Sequence, residues 1–365
     1  MVLQPGSGSI DGQHYLPSDP DSIAWGWLPN RTSEPVLTVD SGDTVTVDTV
    51  SHEGVLEDFG RDPVGWFGRH GVAADDVLRD AIRIADEVER AVGVAGPHVV
   101  TGPVAVRGAE PGDLIRIDVL GARPRVPYGV ISTRHGKGAL AGELPEGPLP
   151  DVEAPLLDPK HWRTVSVFTE IAGGFGAMPF GDGRVVRYPL APFPGIVGVG
   201  VDTDDPVSSM PPGPHGGNLD VRSFAVGSSV YLPVQLADAL VYVGDPHFAQ
   251  GNGEVSVTAL EGSLRLDLRL TVLRGEEARR AAGILTGPFG ETDEHWIPMG
   301  LDVDLDEAMR DAVRAALRFL ETRFEMPRHL AYAYLSAAAD FEVSQVVDGV
   351  KGVHCLIRKQ DFDGV

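Results

Sequence analysis

The chain has 365 residues, 42% of them hydrophobic, and carries 53 acidic against 30 basic residues for a net charge of −23. That negative charge, spread along the chain, disfavours any role that wraps nucleic-acid phosphates or anionic lipid, and no apolar run approaches the roughly 18 residues that a membrane span needs. The opening MVLQPGSGSIDGQHY has no basic-then-apolar leader and Cys355 has no second cysteine to pair with, so a cytoplasmic protein is expected.

Residues 36–50, VLTVDSGDTVTVDTV, predict a strand, a Ser-Gly-Asp turn and a second strand, with Val45 and Val47 facing away from Thr44, Thr46 and Asp48. The same turn-then-alternation returns in AEPGDLIRIDVL (109–120) and in LEGSLRLDLRLTVL (260–273). In the latter, Leu264, Leu266, Leu268, Leu270 and Val272 share one face, and Arg265, Asp267, Arg269 and Thr271 share the other. Such alternation specifies antiparallel strands with one dry and one wet face. Between these regions, Leu78, Ala81, Ile82, Ala85, Val88 and Val92 recur at helical spacing and predict a helix from Ala74 to about Val92.

Residues 121–215 are dense in Gly and Pro yet keep alternating apolar runs (YGVIST, TVSVFTEI, PGIVGVGV), which suits a β-sandwich with elaborate loops better than two domains joined by a linker. GGFGAMPFGDG (173–183) lacks the Lys and Ser/Thr of a phosphate-binding loop and reads as a loop with turns. Near the C-terminus, Leu305, Met309, Ala312, Ala316, Leu320 and Phe324 form a helical stripe, with Asp304 and Glu307 as a capping box and Pro327 as the stop. RHLAYAYLSAAADF predicts a second helix, and EVSQVVDGVKGVHCLIRK a strand, a Gly turn and a strand. The expected architecture is mainly β: a twisted β-sandwich-like body over 1–275, with the helices and hairpin of 276–365 packed on it as one integrated domain.

The chemistry concentrates in 211–255. His215, Asn218 and Asp220 sit in a Gly/Pro-rich loop, and Asp245, His247, Gln250, Asn252 and Glu254 follow a buried-looking strand. Metal-assisted hydrolysis needs a few His and carboxylate ligands and an open position, so that the ion can acidify water and polarise the substrate oxygen. Asp245 and His247, two apart on extended chain, project to one side and could chelate one ion. His52 and Glu53, following the strand expected to end at Val50, supply a further ligand and a candidate base if the chain bends there. His14, His70, His98, His135, His161, His295, His329 and His354 have no comparable neighbours and read as structural. Ser228 and Ser229, in a loop distantly resembling that of serine amidases, lack a lysine partner, and Cys355 reads as a packed thiol.

The segments PPGPHGGNLD and GDPHFAQGNGEV resemble the acetamidase/formamidase family. Similarity extends to the second strand, TGPVAVRGAEPGDLIRIDVL, and DFEVSQVVDGVKGVHCLIRK. The resemblance implies hydrolysis of a short linear carboxamide to carboxylate and ammonia, a homo-oligomer of two or more copies, and bound Zn2+, with Ca2+ as a second candidate. It places His215, Asn218 and Asp220 in one family motif, and Asp245, His247, Gln250 and Glu254 in another. The reading that follows makes His52, His215, Asp220, Asp245 and His247 the metal ligands and Glu254 or Glu53 the proton carrier. Asn218 and Gln250 would hydrogen-bond the substrate or its oxyanion. Members usually carry Asp where this chain has Asn252, and many carry Asp at Ser51, which leaves two alternatives: a larger amide, cyclic imide or carbamate as substrate, or a non-catalytic metal-binding scaffold.

Overall fold

The computed structural model describes residues 2–146 and 164–364. The architecture is mainly β, built from two large sheets. The nine-stranded sheet runs His14–Leu16, Thr44–Asp48, Leu264–Leu273, Leu114–Pro124, Ser229–Pro233, Phe289–Glu291, His295–Asp302, Lys351–Arg358, Asp340–Gln345. The C-terminal hairpin therefore continues the sheet that the earlier strands begin. The eleven-stranded sheet has Val241–Ala249 near its centre, flanked on one side by Phe193–Gly198 and on the other by two successive partners, Val99–Val106 and then Leu260–Glu261.

Apolar residues from the alternating strands meet between the sheets. Val45, Val47, Ile115, Ile117, Leu264, Leu266 and Leu268 from one face Val104, Val130, Val197, Val241 and Val243 from the other within one core. A second core, with Trp296, Phe289, Phe319, Leu320 and Ile357, lies under the helices Gly275–Ala282, Leu305–Phe324 and Arg328–Ala338. No helix among the described residues is long and apolar enough to cross a membrane.

The expected wet face of Leu264–Leu273 is dry over its first half, while Arg269 and Thr271 reach solvent. Arg265 is fully buried and Asp267 is 8% exposed, because the N-terminal residues lie across them and offer the carbonyls of Gln4, Ser7 and Ser9 to Arg265. Arg265 also holds Asp48 through Nε–Oδ1 at 2.6 Å and Nη2–Oδ2 at 2.9 Å. Arg125 lies 3.5 Å from the same Asp48 and 2.6 Å from Asp80, all without solvent exposure. The two strands expected around the Ser-Gly-Asp turn are present, but Leu37–Val39 pairs in one sheet and Thr44–Asp48 in the other, so the turn crosses between layers.

The helices also differ from expectation. The predicted Ala74–Val92 helix is a 3-10 turn, Ala74–Asp76, then an α-helix, Arg79–Glu87. Arg61 captures its last carbonyls by donating to Ala85 and Val88, Val88 turns extended, and Val92 is 62% exposed. Asp304 does cap Leu305–Phe324, accepting from Asp306 N and Glu307 N at 2.8 and 3.1 Å, but Glu307 pairs with Arg310 rather than closing a capping box. Met309 is 40% exposed, and Ala308 is buried in its place beside the expected Ala312, both pressed on Gly300 of the sheet. The segment expected as a loop at 173–183 forms the strand Phe175–Pro179, paired with Val185–Pro189. His161 lies outside the described residues.

Removing one member of a buried, hydrogen-bonded ion pair leaves the other charge without solvent or partner, at a cost of about 3–5 kcal/mol. Asp48→Ala is therefore expected to lower the denaturant midpoint by that amount, and a change within about 0.5 kcal/mol, the size of an ordinary surface substitution, would remove the network from the fold's supports.

Candidate metal centre

The site forms where Val241–Ala249 changes neighbours. Its pairing with Val99–Val106 ends at Gly244 opposite Val100, and its pairing with Leu260–Glu261 begins at His247 opposite Glu261. Between them stand Asp245 and Pro246. Proline donates no ladder hydrogen bond and suits such a gap, and Asp245 has a left-handed φ of 47°. Asp220 and Glu254 share that conformation, at 49° and 43°. Left-handed backbone costs a non-glycine residue roughly 1–3 kcal/mol and gathers at functional sites.

Three imidazoles converge on the Asp245 carboxylate, each by one ring nitrogen. His247 Nε2 is 3.1 Å from Oδ2, His52 Nδ1 is 3.3 Å from Oδ1, and His98 Nε2 is 3.8 Å from Oδ2. The other nitrogen of each ring is held from outside: His247 Nδ1 by Gln250 Oε1 at 3.0 Å, His98 Nδ1 by Ser209 Oγ at 3.0 Å, and His52 Nε2 by Glu53 Oε1 at 3.3 Å. His247 Nε2 also meets Glu261 Oε1 at 3.0 Å and lies 3.9 Å from both Asp220 Oδ1 and Glu254 Oε1. All of these site side chains are buried except that of Gln250, which is half-buried.

These contacts make three interlocked groups able to hold a metal ion: His52, His98 and Asp245; Asp220, His247 and Glu254; Asp245, His247 and Glu261. Both oxygens of Asp220, Oδ1 of Asp245, Oε2 of Glu261 and Nδ1 of His52 are buried without a hydrogen-bond partner. Asp348, from the turn of the C-terminal hairpin, adds a buried carboxylate with an unpartnered oxygen. Buried acceptors in such number cost stability unless a cation or protons satisfy them, so the donor set fits a divalent ion.

The electrostatics follow from burial and crowding. Burial, then the charges of Glu254 and Asp348, push Asp220 well up. Burial pushes Glu254 up too, with Asp348 and Glu261 adding repulsion. Burial and the Asp245 charge raise Glu261 to about 7. Burial works against charge on Asp245 as well, but His98 and His247 overcome it and hold that carboxyl well below its ordinary range. His98 is lowered to about 4 by burial. Glu53, which burial would raise, is held at about 2 by Arg134 and His52; Arg134 Nη2 donates to it at 2.9 Å.

Of the residues singled out from sequence, the fold brings His52, Glu53, Asp220, Asp245, His247, Gln250 and Glu254 together, because the chain turns at Ser51 and points both His52 and Glu53 inward. His215 is not among the groups that could hold an ion. Its ring lies over Gly213 and Gly217 of its own turn, buried with Nε2 unpartnered, and burial lowers it to about 4. Asn218 is buried on the strand Gly216–Asn218, its Oδ1 without a partner. Gln250 has little left for a substrate, since its Nε2 donates to Asp220 O at 2.7 Å and Ser344 O at 3.1 Å. Asn252 is outside the ligand groups and donates to Glu342.

His98, read from sequence as structural, is a member of the cluster, and Glu261 and Asp348 escaped notice. The signals were faint: His98 immediately precedes the run VVTGPVAV, and Glu261 precedes Gly262 at the head of an alternating strand. Ser228 and Ser229 donate to Ala225 O and Asp118, in the other sheet, with no imidazole beside them. Cys355 is fully buried and its thiol is pushed up by burial.

A buried histidine and carboxylate centre at a break in a β-sandwich strand defines the class of protein, and comparison narrows it. Residues 201–358 match the model of the Acetamidase/Formamidase family, and the chain is similar to that family over this part of its length. It is 28% identical over 243 residues to an acetamidase of Mycolicibacterium smegmatis, covering 55% of this chain and 59% of that one. It is 28% identical over 219 residues to a formamidase of Methylophilus methylotrophus, covering 51% and 54%. The chain thus spans less than two thirds of the length of these curated relatives. The crystal structure of an acetamidase from Bacillus halodurans superposes with a TM-score of 0.71 at 25% identity, covering 96% of this chain and 100% of that one.

Gly195 keeps the centre compact. A Cβ there would fall 2.5 Å from Asp220 Oδ1 and 2.8 Å from both Asp245 O and His247 Cε1. Gly195→Ala is expected to destabilise by about 1–3 kcal/mol through overpacking, read by thermal denaturation; an unshifted Tm would show that the strand can retreat.

Proposed function

We propose that the protein is a metal-dependent hydrolase of short linear carboxamides, releasing carboxylate and ammonia. The observation that carries this reading is the convergence of His52, His98 and His247 on Asp245, each with its outer nitrogen held by Glu53, Ser209 or Gln250. Metal-ligating histidines are oriented in this way by the partner of the second nitrogen. The names of the acetamidase and formamidase relatives support the choice of amide.

His52, His98 and Asp245 would hold the ion, with His247, Asp220 and Glu261 completing the cluster; Zn2+ suits the nitrogen-rich group, and Ca2+ the carboxylate-rich one. When bound, the ion supplies Lewis acidity towards the amide carbonyl and towards water. Glu254 is the proton carrier, because it reaches the cluster and also lines an open cleft. It takes a proton from water as the water oxygen bonds to the carbonyl carbon, and returns it to nitrogen as the C–N bond breaks. Asn218 offers the donor for the developing oxyanion. Glu53, held ionised by Arg134, positions His52 instead of carrying protons, and Gln250 positions His247.

The test is ammonia release from formamide and acetamide by the purified protein, with metal analysis, before and after chelation and zinc restoration. Activity that disappears with the metal and returns with it is expected. Asp245→Ala should lose both metal and activity, and an Asp245→Ala protein that keeps its full metal content and turnover would overturn the reading. Gln250→Leu should weaken metal affinity by about 10–100-fold, the usual effect of removing the partner that orients a ligand histidine, measured by competition with a chromogenic chelator; unchanged affinity would remove Gln250 from that role.

A further inference from the structure

A cleft of about 470 Å³ opens beside the cluster, with Glu254 and Gln250 at its inner end and Ile131, Tyr188 and Leu260 among its walls. Pockets of roughly 300–1,000 Å³ usually enclose molecules well beyond a few heavy atoms, so formamide or acetamide would leave most of this space to water. The cleft has one cationic side chain, Arg222, which is exposed. The buried arginines Arg125 and Arg265 are spent on Asp80 and Asp48, and the half-buried Arg134 on Glu53. Among the described residues, the Arg222 guanidinium makes no hydrogen bond and no ion pair. In a chain of net charge −23, an uncommitted cation at the mouth of an acidic site creates a local preference for anions.

Resting on the amide-hydrolase reading, we propose that the substrate is an amide bearing a carboxylate, and that Arg222 is the residue that selects it. Arg222 follows the cluster residue Asp220 by two positions, so their Cα atoms are at most about 7 Å apart. That spacing puts the guanidinium within reach of a carboxylate separated from the scissile amide by two or three methylenes. The methylenes would lie against Ile131 and Leu260, and the planar guanidinium fork matches the two carboxylate oxygens. Arg222 is thus a specificity residue and takes no part in bond breaking.

The experiment compares the metal-containing protein with Arg222→Gln and Arg222→Lys on succinamate and on butyramide, its neutral analogue, by ammonia release. The wild type is expected to favour succinamate in kcat/KM. Arg222→Gln should lower the succinamate-to-butyramide ratio about tenfold or more, mainly through KM, as loss of one charge-assisted hydrogen bond implies; Arg222→Lys should recover part of it. A ratio that falls by less than threefold overturns the proposal, as does a wild type that favours butyramide. If neither amide is hydrolysed, the amide-hydrolase reading fails separately, and calorimetric titration with succinate decides the subsite. Binding weakened about tenfold by Arg222→Gln sustains it, and no binding or equal binding sinks it.

Discussion

A carboxylate sealed from water must have every lone pair met by a proton, a donor or a cation, and Asp245 is the point where this protein faces that demand. Three imidazole nitrogens approach its two oxygens, yet Oδ1 still lacks a hydrogen bond and the nearby Asp220 has none on either oxygen. The arrangement persists because its parts are fixed from behind: Arg134 holds Glu53, Glu53 holds His52, and Gln250 ties His247 to the carbonyls of Asp220 and Ser344. Strained backbone at Asp220, Asp245 and Glu254 is tolerated for the same reason, since the surrounding sheet over-determines those positions.

The scaffold resolves a second electrostatic problem on the opposite layer. Arg265 and Arg125 are fully buried, and both lean on Asp48. The N-terminal residues close over them and spend their carbonyls on the guanidinium groups. The consequence is a sheet dry on both faces near Thr44–Asp48, with His52 and Glu53 emerging just beyond its end. A rigid, desolvated strand upstream is what allows those two neighbours to be aimed into the centre rather than left in a solvated loop.

Much of this was legible in the sequence, and what was not has identifiable causes. Alternation placed Leu264–Leu273, Leu114–Pro124 and the C-terminal hairpin correctly, because period-two patterning survives whatever packs above it. It could not show that the N-terminal residues would cover Arg265 and Asp267. Helical periodicity overran at Val88 and Val92, where Arg61, distant in sequence, captures the helix end. It placed Ala312 correctly but misassigned Met309, since the close approach at Gly300 selects Ala308. At the site, Asp245 and His247 were visible as neighbours on one strand. His98, Glu261 and Asp348 come from separate elements, each an isolated residue until the sheets bring them together, while His215, rich in suggestive neighbours, turns onto its own glycines.

The contributors to the centre are scattered from His52 to Asp348, the last of them in the turn of the final hairpin. Residues 220–261 carry two of the three candidate groups by themselves, while the third needs His52 and His98 from far upstream. Asp348 joins them only when the C-terminal hairpin docks beside Gln250 through the Ser344 carbonyl. Long-range pairing of this kind makes that docking a slow event by the standards of local structure.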